Sequence, residues 1–205
     1  MKQGKLVAFE GIDGAGKSTQ CALLKIQLER IGNPSIISKA KPKDLDPVFE
    51  RFTKEFGLAS DGIPYMFLYQ CLHRRQHDIS AEALARGITV IADRWNPSYF
   101  VYHNLFGELA QKSKKLRKEL DTLAFRGKKP SVCFYLDIPV EEAIQRRLRR
   151  REVIENRDAE EEFFTQIKGE YDRLASEGGW QVIDGTMPIE RIHEKVVSVV
   201  LGLEA

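Results

Sequence analysis

The sequence is poor in cysteine, in uncompensated charge and in long apolar runs. Its three cysteines, Cys21, Cys71 and Cys133, are far apart and odd in number, which argues against a disulfide framework and favours a reducing compartment. Lysine and arginine (32) nearly balance aspartate and glutamate (30), so no strong field attracts nucleic acid. No apolar run approaches membrane-spanning length, and no signal or transit peptide is recognisable. We therefore expect a cytoplasmic protein that binds neither nucleic acid nor a membrane.

Five short apolar runs alternate with helical patterns along the 205 residues. The runs are apolar on both faces, which is typical of parallel strands covered by helices. We expect a single α/β domain over 1–205, with a doubly wound five-stranded parallel sheet flanked by helices and a ligand site at the carboxyl ends of the strands. The predicted strands are Leu6 to Phe9, Ser35 to Ser38, Ile88 to Ala92, Val132 to Leu136 and Trp180 to Ile183.

Two of the helical patterns have clear boundaries. One runs from about Pro64 to Arg86 and stops at Gly87, and another begins at Pro139 with two acidic residues in its first turn. A third pattern, rich in lysine and leucine over Gln111 to Lys129, predicts a peripheral helix.

The segment from Gly11 to Ser18 has the glycine spacing of a phosphate-binding P-loop. It follows the first predicted strand and precedes a helical pattern, which is the order such a loop requires. Its backbone N–H groups and the helix N-terminus would surround a polyphosphate. Lys17 would reach the terminal phosphates, the Ser18 hydroxyl would bind Mg²⁺, and Asp13 is free to contact a second substrate. The loop predicts a protein that binds a nucleoside triphosphate.

Two groups of charged residues could complete a phosphoryl-transfer site. Asp93 ends the third predicted strand beside the P-loop, where a carboxylate could orient Mg²⁺, and Arg94 could bind a second anion. The alternative for this pair is a structural salt bridge. Five arginines crowd the segment from Arg146 to Arg151, which is either a solvated face or a mobile lid that stabilises charge in the transition state.

In this order and spacing, the motifs resemble those of the thymidylate kinase family of P-loop nucleoside monophosphate kinases. The similar segments, which are spread over nearly the whole chain, are Phe9 to Gln20, Arg74 to His77, Asp93 to Trp95 with Ser98 and Tyr102, Tyr135 to Asp137 with Glu141 to Ala143, and Trp180 to Gly185. The resemblance implies transfer of the γ-phosphate of ATP to a nucleoside 5′-monophosphate, with dTMP as the default acceptor. It also implies a bound Mg²⁺ and a homodimer.

The resemblance assigns roles position by position. It implies that ATP is held by Gly11, Asp13, Gly14, Ala15, Gly16, Lys17, Ser18 and Thr19, with Ser18 and Asp93 at the metal. It places the acceptor against Asp13, Phe67, Gln70, Arg74, Arg94, Ser98, Tyr102 and His103. Because Gly14 stands where some members carry arginine, the chain resembles the lid-arginine type, with a lid near 146–159. The catalytic set is then Lys17, Asp93, Arg94, Arg147 and Arg151.

Departures from the family pattern concentrate on the acceptor side. Ala40 stands where a phosphate-binding arginine is usual, Gln70 where an aromatic residue stacks on thymine, and His103 where a glutamine reads the base. Phe67 or Tyr69 could stack instead. Two alternatives therefore stay open: a related nucleotide kinase with another acceptor, and a non-catalytic regulatory protein that binds a nucleotide.

Overall fold

The computed structural model describes residues 4–41, 45–57, 63–105 and 114–203. Its sheet contains five strands, all paired in parallel in the order β2-β3-β1-β4-β5. The strands are β1 (Leu6–Glu10), β2 (Ser35–Ser38), β3 (Thr89–Asp93), β4 (Val132–Asp137) and β5 (Gln181–Asp184). Each lies within one residue of its predicted bounds, which confirms the doubly wound parallel α/β fold.

Eight helices flank the sheet within the described ranges. They are α1 (Lys17–Arg30), α2 (Asp46–Glu55), α3 (Ile63–Ala85), α4 (Asn96–Leu105), α5 (Lys114–Phe125), α6 (Val140–Arg149), α7 (Arg157–Gly178) and α8 (Ile189–Gly202). The stop predicted at Gly87 is confirmed, since its φ of 78° is one that glycine adopts readily. The described part of the helix predicted over Gln111 to Lys129 spans only α5, and residues 106–113 lie outside the described ranges. None of the described helices is long and apolar enough to cross a membrane.

Two hydrophobic layers cover the two faces of the sheet, as the strand patterns predict. Along β1, Val7 and Phe9 pack in one layer, whereas Leu6 and Ala8 pack in the other. All four side chains are essentially inaccessible to solvent. Because alternate residues of a strand point to opposite faces, a strand that is buried on both sides must be apolar at every position.

The sheet topology brings the charged motifs to one edge. Phe9 of β1 is in register with Asp93 of β3, so the two strands end side by side. The loop from Gly11 to Gly16 therefore leaves β1 next to Arg94, although the two are some 80 residues apart in sequence. On its other side β1 pairs with β4, whose chain continues into α6 and the arginine-rich segment.

Candidate active site

The P-loop is shaped by glycines that no other residue could readily replace. Gly11, Gly14 and Gly16 all have positive φ, at 137°, 93° and 95°. A Cβ on Gly14 would lie 2.8 Å from the carbonyl oxygen of Ala143 in α6, so an arginine could not be added here without moving that helix. The close approach gives a physical reason for glycine at this position.

Lys17 begins α1, and its side chain turns back into the loop. Its Nζ donates to the carbonyl oxygens of Gly11 (3.0 Å) and Ile12 (2.8 Å) and lies 3.7 Å from the carboxylate of Asp13. Only 6% of the residue is exposed. Burial, helped by the nearby Arg94 cation, lowers the pKa of Lys17 to about 8. The ammonium is thus held inside the loop, where the phosphates of a triphosphate could replace the two carbonyls as its partners.

Ser18 and Asp93 form an oxygen-rich pair suited to a hard cation. The Ser18 hydroxyl donates to Oδ2 of Asp93 at 2.5 Å. Burial acts to raise the pKa of this aspartate, but the charge of Lys17 and the hydrogen bonds from Lys39 and Ser18 together outweigh burial, so the pKa is lowered. An ionised carboxylate beside a hydroxyl fits Mg²⁺, which takes few protein ligands and completes its shell with water and phosphate oxygens. The predicted metal residues therefore lie together and have suitable chemistry.

Lys39, which sequence reasoning did not single out, also contacts the Ser18–Asp93 pair. Its Nζ lies 2.6 Å from Oδ2 of Asp93 and 3.2 Å from the hydroxyl of Ser18. The lysine follows β2 directly, and β2 pairs with β3, so the sheet register carries it to the end of the neighbouring strand. Its only sequence signal was its closeness to Ala40, where the expected arginine is missing.

Arg94 has an unusual backbone that is restrained from both sides. Its φ is 72°, a conformation that costs a non-glycine residue about 1 kcal/mol or more. Its N–H donates to the carbonyl of Phe9 (3.1 Å), and its own carbonyl accepts from Nε2 of Gln76 on α3 (2.9 Å). Such strain at a strand end persists only where neighbouring groups determine the conformation. Here it aims the guanidinium at the P-loop, where it donates to Asp13 at 2.5 Å.

Glu10 is a second site residue that sequence reasoning missed. It is completely buried and accepts hydrogen bonds from the backbone N–H of Trp95 (2.7 Å) and the hydroxyls of Ser98 (2.6 Å) and Tyr171 (3.2 Å). Burial raises its pKa, although the Arg94 charge acts in the opposite direction. The available signal was a single carboxylate at the end of an otherwise apolar strand.

The predicted acceptor residues divide into two groups. Asp13, Arg94, Ser98 and Tyr102 lie together, with the guanidinium 5.6 Å from the centre of the Tyr102 ring. The charge of Arg94, with that of Lys17, outweighs desolvation and holds the pKa of Asp13 below its usual value, while burial raises the pKa of Tyr102 to about 12.

Arg74 is not part of this group in the structure. Its guanidinium donates to Asp78 (2.9 Å) and to the carbonyl of Leu123 on α5 (3.2 Å), so its side chain is turned away from the Arg94 cluster. Phe67 is 54% exposed on α3. The amide atoms of Gln70 are buried, and neither has a hydrogen-bond partner within the described part of the chain. The side chain of His103 lies outside the described residues.

The arginine-rich segment combines a helix end with a loop. Arg146 and Arg147 belong to α6, which ends at Arg149, and Arg151 lies in the following turn with an exposed side chain and a φ of 60°. Arg147 pairs with Glu152 (2.7 Å) and with Glu160. Arg146, which directly precedes Arg147 in α6, contacts the carbonyl of Gly14 in the P-loop.

Arg146 bridges the P-loop and the end of β5. Its guanidinium donates to the carbonyl of Gly14 at 3.4 Å and, more closely, to that of Gly185 at 2.9 Å. Glu142, one turn earlier on α6, orients it through an ion pair of 2.7 Å. An arginine in this place lies beside the loop that would hold the triphosphate.

The structure combines three features: a P-loop at the carboxyl edge of a parallel sheet, a carboxylate and an arginine at the end of the adjacent strand, and arginines on α6. Together these features define a P-loop nucleotide kinase. The family model described as thymidylate kinase matches residues 9–196. The chain therefore belongs to the thymidylate kinase family.

Individual relatives agree with the family model over nearly their full lengths. The chain is 31% identical over 204 residues to a thymidylate kinase of Cupriavidus pinatubonensis, covering 96% of this chain and 98% of the relative. It is 33% identical over 198 residues to a thymidylate kinase of Fervidobacterium nodosum, covering 94% and 96%. The predicted family and phosphotransferase class are thus confirmed, with ATP as the phosphate donor that the family implies.

Proposed function

We propose that this protein transfers the γ-phosphate of ATP to dTMP, giving dTDP and ADP, with Mg²⁺ at Ser18 and Asp93. The observation that carries the proposal is that the Ser18–Asp93 pair and the Arg94–Asp13 pair both lie at the P-loop, with Lys17 3.7 Å from Asp13. The acceptor base is supported by the relatives, which bear the name thymidylate kinase. The geometry itself supports a two-anion site.

The protein's own residues account for most of what the reaction requires. Lys17 exchanges the loop carbonyls for phosphate oxygens and stabilises the charge that develops during transfer. Arg94 holds the acceptor phosphate in line with the donor. An oxygen of the acceptor phosphate then attacks the γ-phosphorus of ATP, while the bond from the γ-phosphorus to the oxygen shared with the β-phosphate breaks. A bound Mg²⁺ would neutralise charge on the donor phosphates.

Arginines of α6 and the following turn supply further positive charge. We propose that the segment near 146–159 acts as a lid and that Arg146 joins Arg147 and Arg151 as a candidate for contact with the transferred group. Arg147 would have to leave Glu152 and Glu160 to take part, whereas Arg146 already contacts the carbonyl of Gly14.

The proposal extends to assembly and location. We infer a homodimer, since the end of α2 and the residue after it expose the stacked rings of Phe52 and Phe56, whose centres are 4.5 Å apart. Such a pair is costly to leave in water. Light scattering coupled to size-exclusion chromatography should give twice the 23.4 kDa chain mass. The unpaired cysteines are consistent with a cytoplasmic protein.

ADP release measured over a panel of monophosphates tests the function. We expect turnover with dTMP to exceed that with dUMP, UMP, dCMP, AMP and dGMP. The matched negative control is Lys17→Ala, which should lower turnover by at least about 100-fold because it removes charge stabilisation in the transition state.

The outcomes separate the alternatives. Preferred turnover of another nucleotide would reject dTMP and retain the kinase. Gln70, whose amide has no partner among the residues that the structure describes, is the first residue to examine in that case. Release of ADP that no acceptor stimulates would favour the regulatory protein. Full activity of Lys17→Ala would contradict the role assigned to the loop.

A further inference from the structure

The hydroxyl of Tyr171, on α7, lies at the centre of a buried polar cluster next to the P-loop. It accepts a hydrogen bond from NH1 of Arg94 at 2.7 Å, lies 2.8 Å from the hydroxyl of Ser98, and donates to Glu10 at 3.2 Å. The residue is fully buried, and burial raises its pKa, so the hydroxyl keeps its proton. Three polar groups, from β1, the end of β3 and α4, therefore meet at the phenol oxygen of this α7 residue.

These contacts determine which donors of Arg94 remain for a ligand. A guanidinium has five N–H donors. The two on NH1 are directed at Tyr171 and Ser98, and one on NH2 is directed at Asp13. Among the described residues, the second donor on NH2 and the donor on Nε have no partner, which leaves both for the recognition of a phosphate. Without the phenol, the guanidinium could rotate and lose this orientation.

The same helix connects the cluster to the arginine-rich segment. Phe164 and Tyr171 both lie on the buried face of α7. The guanidinium of Arg147 lies 5.3 Å from the centre of the Phe164 ring and pairs with Glu160 in the first turn of α7. A rigid helix of 22 residues thus contacts the lid arginine at one end and the acceptor arginine further along.

We propose that Tyr171 is a positioning residue that orients Arg94 toward the acceptor phosphate and couples this orientation to the lid through α7. The inference rests on the proposed function, because it takes Arg94 as the acceptor-phosphate ligand. In this proposal Tyr171 acts through Arg94 and not through a substrate contact of its own. Its contribution is to hold the guanidinium and to change acceptor affinity when the lid moves.

The test removes the hydroxyl of Tyr171 and compares the effect with removal of the hydroxyl of the neighbouring Tyr135. Tyr171→Phe keeps the ring, which stacks on Tyr135 with centres 5.7 Å apart. Tyr135→Phe is the control, since Tyr135 is equally buried but donates to Asp172 (2.7 Å), away from Arg94. We expect Tyr171→Phe to raise the Kd and KM for dTMP roughly tenfold, the loss of one hydrogen bond to a charged group. The KM for ATP should stay within about twofold of wild type.

Two further measurements separate positioning from general stability. In wild type, a non-hydrolysable ATP analogue should tighten dTMP binding, and in Tyr171→Phe this coupling factor should fall toward one. In an Arg94→Lys background, Tyr171→Phe should add little to the dTMP Kd, because both changes act on one guanidinium. Thermal unfolding of both phenylalanine variants verifies that each is folded.

Several results would overturn the inference. Equal shifts for ATP and dTMP, the same shift in Tyr135→Phe, or full additivity with Arg94→Lys would each assign Tyr171 a structural role only. A Tyr171→Phe protein that does not fold would do the same. If wild type neither binds nor phosphorylates a monophosphate, the proposed function fails and this inference fails with it.

Discussion

Asp121 of α5 should make the stability of the protein depend on pH in a way that one substitution removes. The residue is 8% exposed, and its Oδ1 has no hydrogen-bond partner among the described residues. Burial raises its pKa from 3.8 to about 6, against a smaller opposing effect of a hydrogen bond from Asn96. Between these two pKa values, Asp121 is therefore mostly protonated in the folded state and mostly ionised in the unfolded chain.

This difference in pKa gives the size and the sign of the contribution that Asp121 makes to the free energy of unfolding. Two pKa units correspond to about 3 kcal/mol, and we expect about 2 kcal/mol because the side chain keeps some contact with solvent. A group whose folded pKa is raised contributes stability that is present below its unfolded pKa and is lost as pH rises through its folded pKa. The contribution of Asp121 should thus be complete near pH 4 and absent above about pH 6.

Asp121→Asn isolates this effect from all other titrating groups. The amide stays neutral at every pH, so the variant should match wild type near pH 4 and exceed it by about 2 kcal/mol at pH 8. Urea unfolding followed by the fluorescence of Trp95 and Trp180 at several pH values measures the difference. Parallel pH dependences in the two proteins would refute the assignment of a strained, buried carboxylate.

Two further predictions concern the loop and the metal position. Gly14→Ala places a Cβ 2.8 Å from the carbonyl oxygen of Ala143 at a φ of 93°. We expect the free energy of unfolding, measured by thermal unfolding, to fall by about 1–3 kcal/mol and ATP to bind more weakly. An unchanged melting temperature would contradict the close packing. Lys39→Met removes the ammonium that lies 2.6 Å from Asp93, so Mn²⁺ binding followed by electron paramagnetic resonance should tighten several-fold, with a lower Mg²⁺ requirement for activity. Weaker Mn²⁺ binding would instead assign Lys39 a supporting role at the metal.

Local sequence was sufficient for the strands and the P-loop. Val7 and Phe9 alternate with Leu6 and Ala8, and a run that is apolar at every position is explained by burial on both faces. The glycines at 11, 14 and 16 have the positive φ values that the loop requires. The apolar run and the glycine spacing each lie within a few consecutive residues, so both patterns can be recognised along the chain. The same motifs were enough to predict the family.

The sequence alone thus determined the fold class, the nucleotide loop and the kinase family, whereas tertiary structure decided which side chains meet. Glu10 and Tyr171 are 161 positions apart, and Lys39 reaches Asp93 from another strand. Arg74, which local motif matching grouped with Arg94, turns to α5 instead. These pairings depend on strand register and on how each helix is rotated against the sheet. Spacing within one segment carries no information about either, because both are set by packing between distant parts of the chain.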